Sequence, residues 1–62
     1  MKRAILFEVV RDGEVLAFFP KLLDAILFYD READKKASVE RVEYFFEAGE
    51  QVASNRRILI RQ

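Results

Sequence analysis

The sequence predicts a small α+β domain, in which a three-stranded antiparallel sheet packs with one or two helices. Two β-rich runs around an Asp-Gly pair predict an N-terminal hairpin, and a short alternating segment at the C-terminus predicts the third strand. Residues 21–36, which contain neither glycine nor proline, predict a helix between them. Without a repeat or linker composition, the 62 residues are expected to form one domain, 1–62.

The N-terminal hairpin is predicted from residues 3–10 and 14–19. These runs flank Asp12-Gly13, a pair suited to the positive φ angles of a tight turn. Both faces of the first strand are largely apolar, whereas a sheet with one solvated face alternates more cleanly. One face carries Ile5, Phe7 and Val9, and the other carries Ala4, Leu6, Glu8 and Val10.

The segment after the hairpin is predicted to be helical. Pro20 ends the second strand because it cannot donate a ladder hydrogen bond, and it can occupy the first position of a helix. The favourable spacing of Glu32 and Lys36 supports a helix within residues 21–36. The apolar run at residues 25–29 would also suit a buried strand, which is the alternative.

Residues 38–53 are also predicted to be helical. Ser38 is a suitable N-cap, and one side of the helical wheel is apolar, although Gly49 weakens a helix interior. The alternative is a strand at residues 39–47 followed by an Ala48-Gly49 turn. That alternative gives a ββαββ order, which resembles the arrangement of small immunoglobulin-binding bacterial domains.

Residues 56–62 predict the last strand. In a regular strand Ile58 and Ile60 share one face, and Arg57, Leu59 and Arg61 share the other. We expect this strand to join the sheet of the N-terminal hairpin.

The composition predicts a folded domain in a reducing compartment. Hydrophobic residues form 52% of the chain and charged residues 35%, too apolar for disorder and too charged for a membrane protein. The apolar runs are too short to span a bilayer, so no membrane partner is expected. The 0 cysteines fit the cytoplasm and exclude disulfides.

No residue pattern in the sequence predicts a catalytic or cofactor-binding site. With 0 His and 0 Cys, the usual general base, the thiol nucleophile and the preferred transition-metal ligands are all missing. The 2 glycines, Gly13 and Gly49, cannot form a phosphate-binding loop. The sequence therefore predicts no catalytic, cofactor or metal site, and a protein that is not an enzyme.

Charge segregation in the second half is the first feature that suggests a function. The net charge is +0, but acidic residues dominate 40–50 and arginines dominate 51–62. If the last strand lies near the first, these arginines could form an anion or nucleic-acid site with the basic N-terminus. The residues of this predicted site are Lys2, Arg3, Arg56, Arg57 and Arg61. Alternatively, the arginines simply protect an edge strand from aggregation.

Surplus apolar surface is the second feature. The predicted hairpin is apolar on both faces, and the chain has no disulfide or metal site to stabilise it. A second copy of the chain would bury the additional apolar area. The predicted interface residues are Leu6, Leu16, Phe18, Phe28 and Phe45. The sequence thus predicts a non-enzymatic interaction module that binds itself or another protein. The alternative is a small nucleic-acid-binding regulator that uses the basic C-terminal strand.

The hairpin and the run at residues 15–20 resemble the start of small antitoxin domains of the HicB type. This likeness covers about a quarter of the chain. The family normally has a Leu-Pro-Gly-like turn after the proline, and residues 21–24 replace it here. The resemblance implies a regulatory binding role.

Overall fold

A computed structural model describes residues 1–32 and 36–61 of the chain. Two strands come first, followed by one helix and two further strands. The elements are β1 (Lys2–Arg11), β2 (Glu14–Phe19), α1 (Leu22–Arg31), β3 (Ser38–Glu47) and β4 (Glu50–Arg61). This is the ββαββ order that the sequence left open.

The four strands form one sheet in the order β2-β1-β3-β4, and every neighbouring pair is antiparallel. The predicted α+β class is confirmed, but the prediction of a three-stranded sheet is wrong. The C-terminal strand does join the sheet of the N-terminal hairpin. It joins through β3, which separates it from β1.

The N-terminal hairpin forms as predicted. Asp12 and Gly13 take φ angles of 51° and 79°, the positive values that a tight hairpin turn requires. Val9 pairs with Ala17 and Val10 pairs with Val15, so the ladder shifts register there and Leu16 is the extra residue of a bulge. As predicted, Phe7 and Val9 point to the same side of the sheet, where they meet the core.

The predicted helix after the hairpin is confirmed over Leu22–Arg31, and the strand alternative at residues 25–29 is wrong. The helix ends where Glu32 takes an extended conformation and its backbone N–H donates to the Tyr29 carbonyl. Part of the predicted helical range, residues 33–35, lies outside the described residues. Lys36 and Ala37 are not helical and lead into β3.

The predicted helix over residues 38–53 is wrong, because this segment forms β3 and the first part of β4. Ser38 is a strand residue and caps no helix. The β-branched and aromatic residues of this segment favour a strand once β1 offers an edge to pair with. Ala48 and Gly49, with φ angles of 53° and 81°, form the turn that the helical interpretation treated as helix interior.

The last strand is longer than the predicted range of residues 56–62. Its residues also do not alternate between the two faces as predicted, because its register with β3 shifts between Val39 and Glu40. Ile58 pairs with Glu40, and Ile60 pairs with Val39, so the two isoleucines lie on opposite faces. The prediction that they share a face is therefore wrong, and the bulge at Leu59 is the reason.

The core lies between α1 and one face of the sheet. Val9, Val39, Ala25 and Ala37 are buried there, and Phe28 of the helix stacks at a tilt on Phe19 with 5.8 Å between ring centroids. The helix lies against β1, β2 and β3, and Ile60 is the residue of β4 that packs against this core. Hence α1 covers one part of one face, and the β3–β4 hairpin extends beyond it.

Candidate interaction surfaces

The face of the sheet opposite α1, here called the helix-free face, has apolar and polar residues side by side. Strand alternation places Leu6, Val42 and Phe46 on it, and Phe18 of β2 lies beside Glu8 on the same face. Phe18 is 64% exposed. A shallow depression between Leu6, Phe18 and Phe46 is open to solvent. No element among the described residues packs over this face.

A polar cluster occupies the middle of the helix-free face. Glu8 is 3% exposed and accepts hydrogen bonds from the Tyr44 hydroxyl and, at 2.9 Å, from Nη1 of Arg56. The same Arg56 nitrogen lies 3.0 Å from Oε1 of Glu40. Arg56 therefore links the edge strand β4 to both β3 and β1.

Hydrogen bonds within this cluster shift the pKa values of Tyr44 and Arg56. The pKa of Tyr44 is raised above its ordinary value, chiefly because the hydroxyl donates to Glu8 and also because it is partly buried. The pKa of Arg56 is also raised, chiefly by its hydrogen bond to Glu40, while partial burial opposes the shift. Tyr44 thus stays a neutral donor and Arg56 stays a cation at neutral pH. The arrangement joins β4 to β3 and β1, and neither shifted group is an activated nucleophile.

The sequence analysis missed this cluster. It placed Glu8 on a largely apolar strand face and assigned Arg56 to a possible anion site, without joining the two. The available signal was Glu8 itself, a carboxylate in the middle of an otherwise apolar strand, since such a group needs a cationic or donor partner when buried. The sequence could not show which arginine supplies it, because that depends on the β3–β4 register.

The five residues of the predicted anion site do not come together. Lys2 lies opposite Phe46 at one end of the sheet, whereas Arg61 lies opposite Ser38 at the other end. Arg56 and Arg57 are neighbours in β4 and point to opposite faces. Arg3 is paired with Glu43 at 3.0 Å, and Arg56 is paired as described above.

The five predicted interface residues are also spread over the molecule. Leu6 and Phe18 lie on the helix-free face, whereas Leu16 and Phe28 pack against the core under α1. Phe45 lies on the α1 side of β3, opposite Ala53 of β4 and Arg3 of β1. Only Phe18 of these five is strongly exposed; the other four are half-buried.

Neither the remaining chemistry of the described residues nor comparison with known proteins identifies a function. No group of acidic side chains among residues 1–32 and 36–61 is arranged to hold a metal ion. The single helix described is too short to cross a bilayer. Comparisons with protein-family models, with curated proteins and with solved structures find no match.

Proposed function

We propose that this chain is a non-enzymatic protein-interaction module that works as a homodimer. The proposal rests on the large solvent-accessible surface area of the chain. The chain exposes 4633 Å², whereas a folded monomer of 7.3 kDa exposes about 4,200 Å². Its radius of gyration is 12.2 Å, compared with about 10.6 Å for a compact domain of this length.

Strand β4 contributes to this exposed surface along almost its whole length. Eleven of its 12 residues are exposed, including the large apolar residues Val52, Ile58 and Leu59. A strand that is exposed on both faces adds little to a monomeric core, since it buries apolar area on neither side. A second protein surface laid on one face of the β3–β4 hairpin would bury part of that area.

The small core favours a second copy as the partner. Among the described residues, five apolar side chains are buried: Val9, Ala25, Ala37, Val39 and Val42. Domains of this size are usually reinforced by disulfides, a metal or association, and the 0 cysteines and 0 histidines make the first two poor candidates. The absence of cysteine also supports the cytoplasmic location that we include in the proposal.

Mass in solution tests the proposal directly. We expect analytical ultracentrifugation at micromolar concentration to give twice the chain mass of 7.3 kDa. The thermal midpoint should fall on dilution, because dissociation is coupled to unfolding by mass action. A mass of one chain over the whole range, with a midpoint independent of concentration, would contradict the homodimer.

The alternative function, binding of nucleic acid by the basic residues, has less support. The predicted site is divided between two ends and two faces of the sheet, and carboxylates neutralise Arg3 and Arg56. Phosphate contacts need accessible cations in one continuous surface. Salt-sensitive retardation of DNA or RNA probes at low ionic strength would favour this alternative over the homodimer.

A further inference from the structure

The α1 side of the β3–β4 hairpin, here called the hairpin surface, carries its charges in like pairs. Arg41 lies directly opposite Arg57, and Glu47 lies directly opposite Glu50. Phe45 and Ala53 face each other between them. Strand alternation places all six on one side of the sheet, and α1 does not reach β4 on that side.

These like pairs have no compensation among the residues that the structure describes. Like charges directly opposite each other destabilise an antiparallel pair. Within residues 1–32 and 36–61, no ion pair joins any of the four side chains to another residue. By contrast Glu43, which lies between the two pairs, is neutralised by Arg3. The hairpin surface therefore has a basic end, an acidic end and a neutral centre.

This pattern is complementary to itself. Arg41 and Glu47 are six positions apart in β3, a distance of about 20 Å along a strand. A two-fold axis that crosses the strands at the Tyr44–Ser54 pair, midway between the ends, exchanges them. In such a pair of stacked sheets, each arginine pair lies over the glutamate pair of the other copy. Phe45 and Ala53 of each copy then lie next to the axis, over Glu43 and Asn55 of the other copy.

We infer that the homodimer forms through the hairpin surface, with the arginine pair of each copy against the glutamate pair of the other. The inference rests on the proposed homodimer and specifies its interface and register. The charged ends set the register, because a copy laid in the same direction would place like charges together. The centre carries Phe45 and Ala53 beside Asn55 and the neutralised Glu43, and charges at the rim around a less charged centre are usual in protein interfaces.

Two charge-reversed chains test the interface. One carries Arg41→Glu and Arg57→Glu, and its hairpin surface is acidic at both ends. The other carries Glu47→Arg and Glu50→Arg, and its hairpin surface is basic at both ends. We expect each chain alone to dimerise at least about tenfold more weakly than the unaltered protein, because attraction becomes repulsion. An equimolar mixture should form a heterodimer by native mass spectrometry and ultracentrifugation.

A control pair changes the net charges equally at other positions. Its chains carry Lys2→Glu with Arg61→Glu, and Glu14→Lys with Asp30→Lys, at exposed sites outside the hairpin surface. We expect each control chain to keep its own homodimer. Control chains that lose their own homodimers as the charge-reversed chains do would overturn the inference, because the change in net charge alone would then explain the loss.

The outcomes separate the interface from the homodimer itself. If the unaltered protein dimerises and the two charge-reversed chains dimerise as tightly, the hairpin surface is not the interface, although the homodimer stands. A monomeric unaltered protein contradicts the homodimer and the inference together. Should circular dichroism show that a reversed chain is unfolded, Arg41→Gln with Arg57→Gln replaces it. That variant should dimerise with a smaller salt dependence, and an unchanged salt dependence would overturn the inference.

Discussion

The two hairpins of this protein are built alike and are used differently. Each consists of antiparallel strands joined by a two-residue turn that ends in glycine with positive φ, and the first contains one bulge and the second two. The β1–β2 hairpin is covered on one face by α1, and its residues Phe7, Leu16 and Phe19 contribute to the core. The β3–β4 hairpin extends past the helix and contributes its last strand to the core through Ile60 alone.

This difference follows from the length of the chain between the hairpins. The helix has 10 residues, which is about 15 Å of cover, whereas β4 alone has 12 residues in extended conformation. One short helix cannot cover two hairpins, so one hairpin stays exposed. The position of the helix thus decides which residues of the protomer are buried. The β1–β2 hairpin therefore contributes to the core, whereas most of the β3–β4 hairpin stays exposed.

The largest expected change in stability comes from comparing one valine of each hairpin. Val9 in β1 is 0% exposed, whereas Val52 in β4 is 53% exposed. We expect Val9→Ala to lower the free energy of unfolding by about 2 kcal/mol, because it removes buried methyl groups and leaves a cavity. Val52→Ala should change it by less than about 0.5 kcal/mol. Urea titrations of dilute samples measure both, and equal losses would mean that β4 is as buried as β1.

The second prediction concerns the contact that ties the exposed hairpin to the covered one. Arg56→Met removes the cation shared by Glu8 and Glu40 and leaves the buried Glu8 carboxylate with the Tyr44 hydroxyl. Removing one partner of a buried pair is costly, but the Arg56 side chain is 43% exposed and water moderates the loss. We expect a loss of about 1–2 kcal/mol in unfolding free energy.

Arg61→Met is the matched control for that experiment, because Arg61 is an exposed arginine of the same strand. It should change the unfolding free energy by less than about 0.5 kcal/mol. If the two methionine variants are equally stable, the Arg56 cluster contributes nothing to joining β4 to the rest of the sheet.

The sequence predicted the first hairpin but left the second as an alternative to a helix, and the turn residues explain why. Asp12-Gly13 is a strong signal for positive φ angles, and a β-rich run lies on each side of it. Ala48-Gly49 is a weak one, since alanine disfavours positive φ. The segment at residues 38–53 also fits a helical wheel, and without the edge of β1 no local signal decides between the two structures.

The candidate surfaces were predictable to a smaller extent than the fold. The β1 pattern predicted surplus apolar area on the N-terminal hairpin, but no residue of β1 is among the exposed large apolar residues. The pairing of Arg56 with Glu8 and the like pairs of the hairpin surface depend on register across β1, β3 and β4. Two bulges in β4 shift that register, and a bulge has no reliable signature in a single sequence.

The smallest expected effect comes from exchanging the turn residues of the two hairpins. Ala48 has a φ of 53°, a conformation that asparagine adopts more readily than alanine because its side chain hydrogen-bonds locally. We expect Ala48→Asn to raise the unfolding free energy by about 0.5–1 kcal/mol. At the equivalent position of the first turn, where φ is 51°, Asp12→Ala should lower the unfolding free energy by a similar amount. Asp12→Asn, which removes only the charge, should change it little.

Chemical denaturation at low protein concentration gives the unfolding free energies of all three variants. If Ala48→Asn leaves the stability unchanged while Asp12→Ala lowers it, the second turn opens without loss. The β3–β4 hairpin would then be held by its ladder and by Arg56 rather than by its turn.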